Sequence, residues 1–251
     1  KSCMIDDAGV VVIASGLPCL THLMIADCHH VGDAGMQAVM GIDSLENLQL
    51  GCDKVTDAGF NNISNLVNLN SLKFHGCKKI SGTGVGSTLP KLEHLTLGWG
   101  TSDAGLAAIS GLANLTSLNI QNSENVTDDG ISHLGRLEKL TSLNVTCSVT
   151  NGTGFRDGFP LLESLRINTA VTTGGITAIA RIPNLKTLFV QNMSGDFGIA
   201  AVSGLANLTS LHIQNSENVT DDGINHLGRL KKLTSLDITC PLVNGTGFRD
   251  G

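Results

Sequence analysis

Leu20-Thr21-His22-Leu23-Met24-Ile25 carries apolar side chains at its first, fourth and sixth positions. Leu23 and Ile25 flank Met24 in the period-2 alternation of a short strand with one buried face. The same pattern, Leu-x-x-Leu-x-apolar, begins ten times, at Leu20, Leu45, Leu69, Leu92, Leu115, Leu140, Leu162, Leu185, Leu208 and Leu233, always 22 to 25 residues apart. A second signature, Gly followed by an apolar residue, recurs between these blocks eleven times in phase, from Gly9-Val10 to Gly247-Phe248. A repeat of this period means a stacked architecture, because a strand plus a short connection cannot bury its own apolar stripe and must share a core with its neighbours.

The second half of each unit has a different period. Asp103-Ala104-Gly105-Leu106-Ala107-Ala108-Ile109 follows Ser102 and spaces Leu106 and Ile109 three apart, the signature of a capped helix start before an apolar face. Pro18, Pro90, Pro160 and Pro183 each stand two residues before the strand leucine, where proline stops a helix and extends the chain. Each unit therefore reads as strand, turn, short helix, turn. The expected architecture is α/β, a single solenoid over residues 1–251 with about ten units, a concave parallel sheet and convex helices.

The residues that recur resemble the leucine-rich-repeat (LRR) family over essentially the whole chain. Cys52 followed by Val55-Thr56-Asp57-Ala58-Gly59, and Cys77 followed by Ile80, are similar to its cysteine-containing subclass. The resemblance implies a horseshoe that recognises a protein partner. It also implies, by analogy, an F-box-type ubiquitin-ligase receptor; related units occur in bacterial and protist proteins. The match is uneven, since Ser123 and Ser216 replace the cysteine and no F-box is present.

Composition excludes several functions. Charged residues make up 15% of the 251, and the formal net charge is −6 with a pI near 5.7, which disfavours a nucleic-acid partner. No apolar run approaches the ~18 residues of a membrane span. The eight histidines include no helical metal spacing, and neither a nucleophile elbow nor a phosphate loop occurs. We therefore expect no enzyme activity, cofactor or metal. The sequence does not indicate an oligomeric state.

Residues 111–158 and 204–251 align without gaps at an offset of 93 and are identical at 40 of 48 positions. Two of the eight differences, Asn119 against His212 and Asn144 against Asp237, lie between the second and third apolar positions of a strand. Divergence of a binding face and neutral drift at an exposed site both predict this. Because the repeat breaks off at Gly251, the chain is expected to be part of a longer one.

Seven cysteines, at positions 3, 19, 28, 52, 77, 147 and 240, are a poor disulfide framework. Cys3, Cys28, Cys52 and Cys77 share one phase, so stacking sets them in a ladder roughly 5 Å apart. A metal or redox site would use that proximity. A small side chain bonding inside the turn would explain it equally, and serine in the same slot favours the second reading. Unpaired cysteines indicate an intracellular, reducing location. Nine Asn-x-Ser/Thr sequons, at Asn62, Asn114, Asn125, Asn144, Asn151, Asn192, Asn207, Asn218 and Asn244, support the alternative of a secreted or cell-surface glycoprotein.

Side chains between the buried strand positions must face the concave surface. The position before the last apolar residue reads Met24, Gln49, Lys73, Thr96, Asn119, Asn144, Arg166, Phe189, His212 and Asp237, which is chemically varied. The candidate partner-binding residues are Lys73, His75, His94, Trp99, Asn119, Asn144, Arg166, Phe189 and His212. Trp and Arg are favoured interface anchors, so Trp99 and Arg166 place the expected contact between the fourth and eighth units. The resulting expectation is a non-enzymatic protein-recognition module, an intracellular adaptor or scaffold. These same residues could also be simply solvated.

Overall fold

The computed structural model describes residues 3–86, 88–148 and 150–243. The terminal Gly247-Phe248, the sequon at Asn244 and the chain end at Gly251 lie outside them. The chain divides into two compact units, residues 1–126 and 127–251.

The first unit holds α1 (Asp7–Gly16), β1 (His22–Ala26), α2 (Asp33–Val39), β2 (Asn47–Gly51), β3 (Ser71–Phe74), β4 (His94–Leu97), α3 (Asp103–Ile109) and β5 (Ser117–Ser123). The second holds α4 (Asp128–His133), β6 (Ser142–Cys147), β7 (Ser164–Val171), α5 (Thr173–Ile179), β8 (Thr187–Met193), α6 (Gly195–Val202), β9 (Ser210–Gln214), α7 (Asp221–Asn225) and β10 (Ser235–Thr239). Within each unit the strands pair in parallel and in chain order, with equivalent repeat positions opposite one another: Leu48 meets Leu72, and Leu188 meets Leu211. This is the α/β solenoid expected from the repeat. The strand leucines and the apolar residues after the repeated glycines form its core; Leu72, Leu165, Leu106 and Ile176 are all fully buried.

Helix is not present in every repeat. After β2 the chain makes only two 3₁₀ turns, Asp57–Phe60 and Ile63–Asn65, and after β6 only Thr153–Phe155 follows. Residues 81–86 form turns without any helix. Gly82 (φ +99) and Gly152 (φ +91) stand in the left-handed region at the start of two of these segments, but Gly195 (φ +64) does the same at the start of α6, so the left-handed glycine does not by itself bar a helix. The apolar side chain is buried regardless, as Phe60, Val85 and Phe155 show.

The recurrent Ser/Thr-Asp-x-Gly motif has a second purpose beyond starting a helix. Ser102 does cap α3, accepting from Gly105 N at 3.3 Å. The aspartate, however, reaches into the following repeat. Asp7 accepts from Gly32 N and Gly35 N, and Asp33 from the backbone N and hydroxyl of Thr56, each contact 2.7–3.0 Å. Asp57 accepts from Ser81 N, Ser81 Oγ, Gly82 N and Gly84 N; Asp128 and Asp196 do the same for Asn151 and Gly154, and for Thr220. The neighbouring backbone comes so close that a Cβ on Gly105 would collide with the Ser81 carbonyl, and one on Gly175 with that of Asn151. Glycine is required there by space.

Candidate recognition face

Strand register gathers the variable side chains into rows. In the first unit Met24, Gln49, Lys73, Thr96 and Asn119 stand opposite one another in turn, on β1 to β5. In the second the row is Asn144, Arg166, Phe189, His212 and Asp237, on β6 to β10. The alternation read from the sequence is thus the alternation of the fold, with both flanking positions buried in nearly every strand.

The first row is open at Met24 and Lys73, half-buried at Gln49 and Asn119 and closed at Thr96, which is 9% exposed. Met24 is 64% exposed, Lys73 and His94 are exposed, and Trp99, in the turn after β4, keeps 47% of its surface in solvent. Lys78 in the turn after β3 holds its Nζ 5.4 Å from the Trp99 ring centroid. His75, just past the end of β3, is exposed as well. A shallow hollow of about 320 Å³ lies on β1–β3 among His22, Met24, Asn47, Gln49, Ser71 and Lys73, and the amide Nδ2 of Asn47 sits 2.9 Å from Nε2 of His22.

The second row is closed upon itself. The guanidinium of Arg166 covers the Phe189 ring at 3.8 Å, and the His212 ring lies on the other side with its centroid 6.0 Å away. Phe189 is left only 8% exposed. His212 in turn meets Ser210 Oγ at 3.1 Å and Asp237 Oδ2 at 3.4 Å. Phe189 is therefore a bed for Arg166 rather than a free aromatic anchor. Asn119 and Asn144 are half-buried, and among the described residues the Oδ1 of each has no hydrogen-bond partner.

The nine candidate residues divide between the two units. Lys73, His75, His94, Trp99 and Asn119 belong to the first, and Asn144, Arg166, Phe189 and His212 to the second. Met24 and His22, which line the hollow, are outward strand positions that are not among the candidate binding residues, and Lys78, which covers Trp99, is not singled out at all by the sequence reading. One signal could have pointed to Lys78: residues 58–92 contain no Asp or Glu.

The cysteine ladder serves the turns. Cys52 Sγ donates to Ile25 O at 3.6 Å and Cys77 Sγ to Leu50 O at 3.7 Å, each a carbonyl of the preceding strand. Ser123 Oγ makes the equivalent bond to Gly98 O at 2.8 Å. All seven cysteines are free thiols, and no group of three or more His, Cys, Asp or Glu among the described residues could hold a metal ion. Burial pushes the Cys52 thiol up to about 11. It pushes Cys28 to about 12, with the neighbouring Cys3 adding to the effect. Such thiols are poor nucleophiles. Burial also acts to raise Asp57, but its bonds from Gly84, Ser81 and Gly82 outweigh that and leave its carboxyl below the usual range.

Two sequon asparagines have a structural explanation. Asn114 and Asn207 donate from Nδ2 to the carbonyls of Pro90 and Pro183, one repeat back. Asn68 and Asn184 make the same contact, to Asp43 O and Pro160 O, although neither is followed by a sequon hydroxyl residue. The asparagine at this position follows from stacking.

No protein-family model matches the chain, and no curated protein matches it. Solved structures do. An internalin from Listeria monocytogenes superposes with a TM-score of 0.58 at 22% identity, covering 94% of this chain and 78% of that one. Toll from Drosophila, in complex with Spatzle, gives 0.63 at 16% identity over 94% of this chain and 34% of its own. An LRR protein of Leptospira interrogans gives 0.54 at 19% identity, covering 92% and 52%. These likenesses show the fold: the chain is an LRR solenoid. Among the described residues no helix is long and apolar enough to cross a membrane.

Proposed function

We propose that this LRR chain is a non-enzymatic recognition module that binds a protein partner on its strand face, as an intracellular adaptor or scaffold. The observation that carries the reading is the contrast between adjacent positions of each strand. Flanking residues are aliphatic or Phe throughout and buried in every strand but the terminal β1 and β10, while the row between them runs through Met, Gln, Lys, Thr, Asn, Arg, Phe, His and Asp in register. A scaffold held constant beneath a varied surface is the arrangement of a recognition face. The slot shared by Cys52, Cys77 and Ser123 supports placement in the cysteine-containing subclass. A ubiquitin-ligase receptor role would come with that subclass by analogy.

The intracellular location is supported by seven free thiols and by the stacking role of Asn114 and Asn207. A secreted or cell-surface ectodomain is the second reading, favoured by the exposed sequon residues Asn62, Asn125, Asn192 and Asn218. Mass spectrometry of protein from its native source decides between them: N-glycans sink the first reading, and seven free cysteines sink the second. The recognition function is tested by affinity purification from the same source. A partner retained by wild type and by the exposed helix-side variant Glu138→Ala should be lost by Trp99→Ala plus Arg166→Ala. Equal recovery with all three would refute strand-face binding.

A further inference from the structure

The acid-free run at residues 58–92 carries Lys73, Lys78, Lys79, Lys91 and His75 in a protein whose net charge is −6. The fold brings most of that positive charge to one place. Lys73 stands on β3 opposite Thr96 of β4, and His94 begins β4 opposite Ser71. His75, Lys78 and Lys79 lie in the connection leaving β3, and Trp99 in the one leaving β4, with Lys78 against its ring. All are exposed. Lys91 lies apart, donating to Asn68 Oδ1. Among the described residues none of Lys73, Lys78 and Lys79 forms an ion pair; the carboxylate on the β2 side, Asp53, is engaged 3.2 Å from His29.

Lys78 against a half-exposed indole, with Lys79 beside it in the same turn and Lys73 on the strand that leads into it, makes one end of this strand face electropositive on an acidic protein. We propose that β3, β4 and the turns at their C-terminal ends bind an acidic peptide segment, a short Asp/Glu-rich stretch of a protein partner. Its carboxylates meet Lys73, Lys78 and Lys79, and an apolar part of it packs on Trp99. This deepens the strand-face reading, on which it rests, by naming the partner's chemistry. The width of the surface argues for a short segment, since adjacent strands are only about 5 Å apart. The flanks argue the same way. Asp27 and Asp53 follow β1 and β2, and Glu124 follows β5, so a long phosphate polymer would run from the lysines onto carboxylates, whereas four to six peptide residues would not.

Trp99 is the only tryptophan, so intrinsic fluorescence reports directly on the site. The chain is titrated with a capped hexaglutamate peptide, with hexalysine and with a 12-nucleotide single-stranded DNA; calorimetry on the same samples detects binding that leaves the indole unperturbed. Hexaglutamate should bind saturably, with weakening by about tenfold or more between low and high salt. The triple variant Lys73→Gln, Lys78→Gln, Lys79→Gln should weaken it by about tenfold as well, while Arg136→Gln, which removes an exposed cation from the 3₁₀ turn Leu134–Arg136 on the helix side, should leave it unchanged. Unaltered thermal unfolding of the triple variant confirms that it folds. Absence of saturable binding in both measurements, unchanged affinity in the triple variant, or tighter binding of DNA would each overturn the proposal. The broader reading fails separately. A native partner lost on Trp99→Ala plus Arg166→Ala but kept by the lysine variant means strand-face recognition without an acidic segment.

Discussion

The strand faces of the two units are built on the same scaffold and finished in opposite ways. In the first, Met24, Lys73 and Trp99 project into solvent, and the lysines lack carboxylate partners. In the second, Arg166, Phe189, His212 and Asp237 satisfy one another through ring stacking and polar contacts. The copied segment shows the same divergence at one position: Asn119 has a buried Oδ1 with no partner, while its counterpart His212 meets Ser210 and Asp237. A self-complementary row must be taken apart before a partner can use it. The exposed Met24 and Lys73 require no such loss, so under the proposed strand-face reading the first unit is the less costly place to bind.

The comparison holds only if the scaffolds beneath are equivalent, and the largest expected effects test that. Leu72→Ala in the first unit and Leu143→Ala in the second should each lose about 2–5 kcal/mol in denaturant unfolding, as buried leucines that leave cavities. A small loss at either would mean that one core is looser. Next come the contacts between repeats. Gly105→Ala and Gly175→Ala force a methyl group against a neighbouring carbonyl and should each cost about 1–3 kcal/mol, measured the same way. If Gly175→Ala were silent, the repeats of the second unit would not be packed as closely as described.

The pH dependence should be concentrated in the first unit. The folded-state pKa of Asp57 is depressed, so its contribution is whole above about pH 4, the unfolded value, and is lost as pH falls through the folded value. The pKa of Cys52 is raised, so its contribution is whole below the unfolded value near 9.0 and is lost as pH rises through about 11. Asp57→Asn should flatten the acid side of a stability profile, and Cys52→Ser the alkaline side; an unchanged alkaline side would show that the thiol titrates normally. The smallest effects belong to the faces. Asn144→Ala removes a carbonyl oxygen that has no partner and should change stability by less than about 1 kcal/mol. A larger loss would place Asn144 inside the core and reverse the assignment of the row.

Most of the fold could be read directly because the repeat states it ten times: the period-2 leucines gave the strands, their register and the two rows. The residues of the face were legible for the same reason, but their condition was not. Nothing in the order Arg166, Phe189, His212 indicates that a guanidinium lies across the ring, because strand neighbours are more than twenty residues apart and their rotamers depend on one another. The absence of α-helix at residues 81–86 and 153–155 is hidden by the recurrent Gly-apolar pair, which is kept whether or not α-helical geometry is. The aspartate reads as part of a helix start because the donors to its carboxylate lie in the next repeat, about two dozen residues away.

Where it is present, that aspartate is a plug on its own repeat that fits a socket of amides on the next. Asp57 is the plug of its repeat, and the amides of Ser81, Gly82 and Gly84 are the socket of the next. A block copied in whole repeats, such as the one that carries Asp128 and the amides of Asn151 and Gly154, therefore arrives with plug and socket matched. An insertion of half a repeat would leave a carboxylate facing no amides and a socket facing no carboxylate. Lengthening by intact multiples, as the 93-residue offset between the two copies records, is the form of growth that this joint permits.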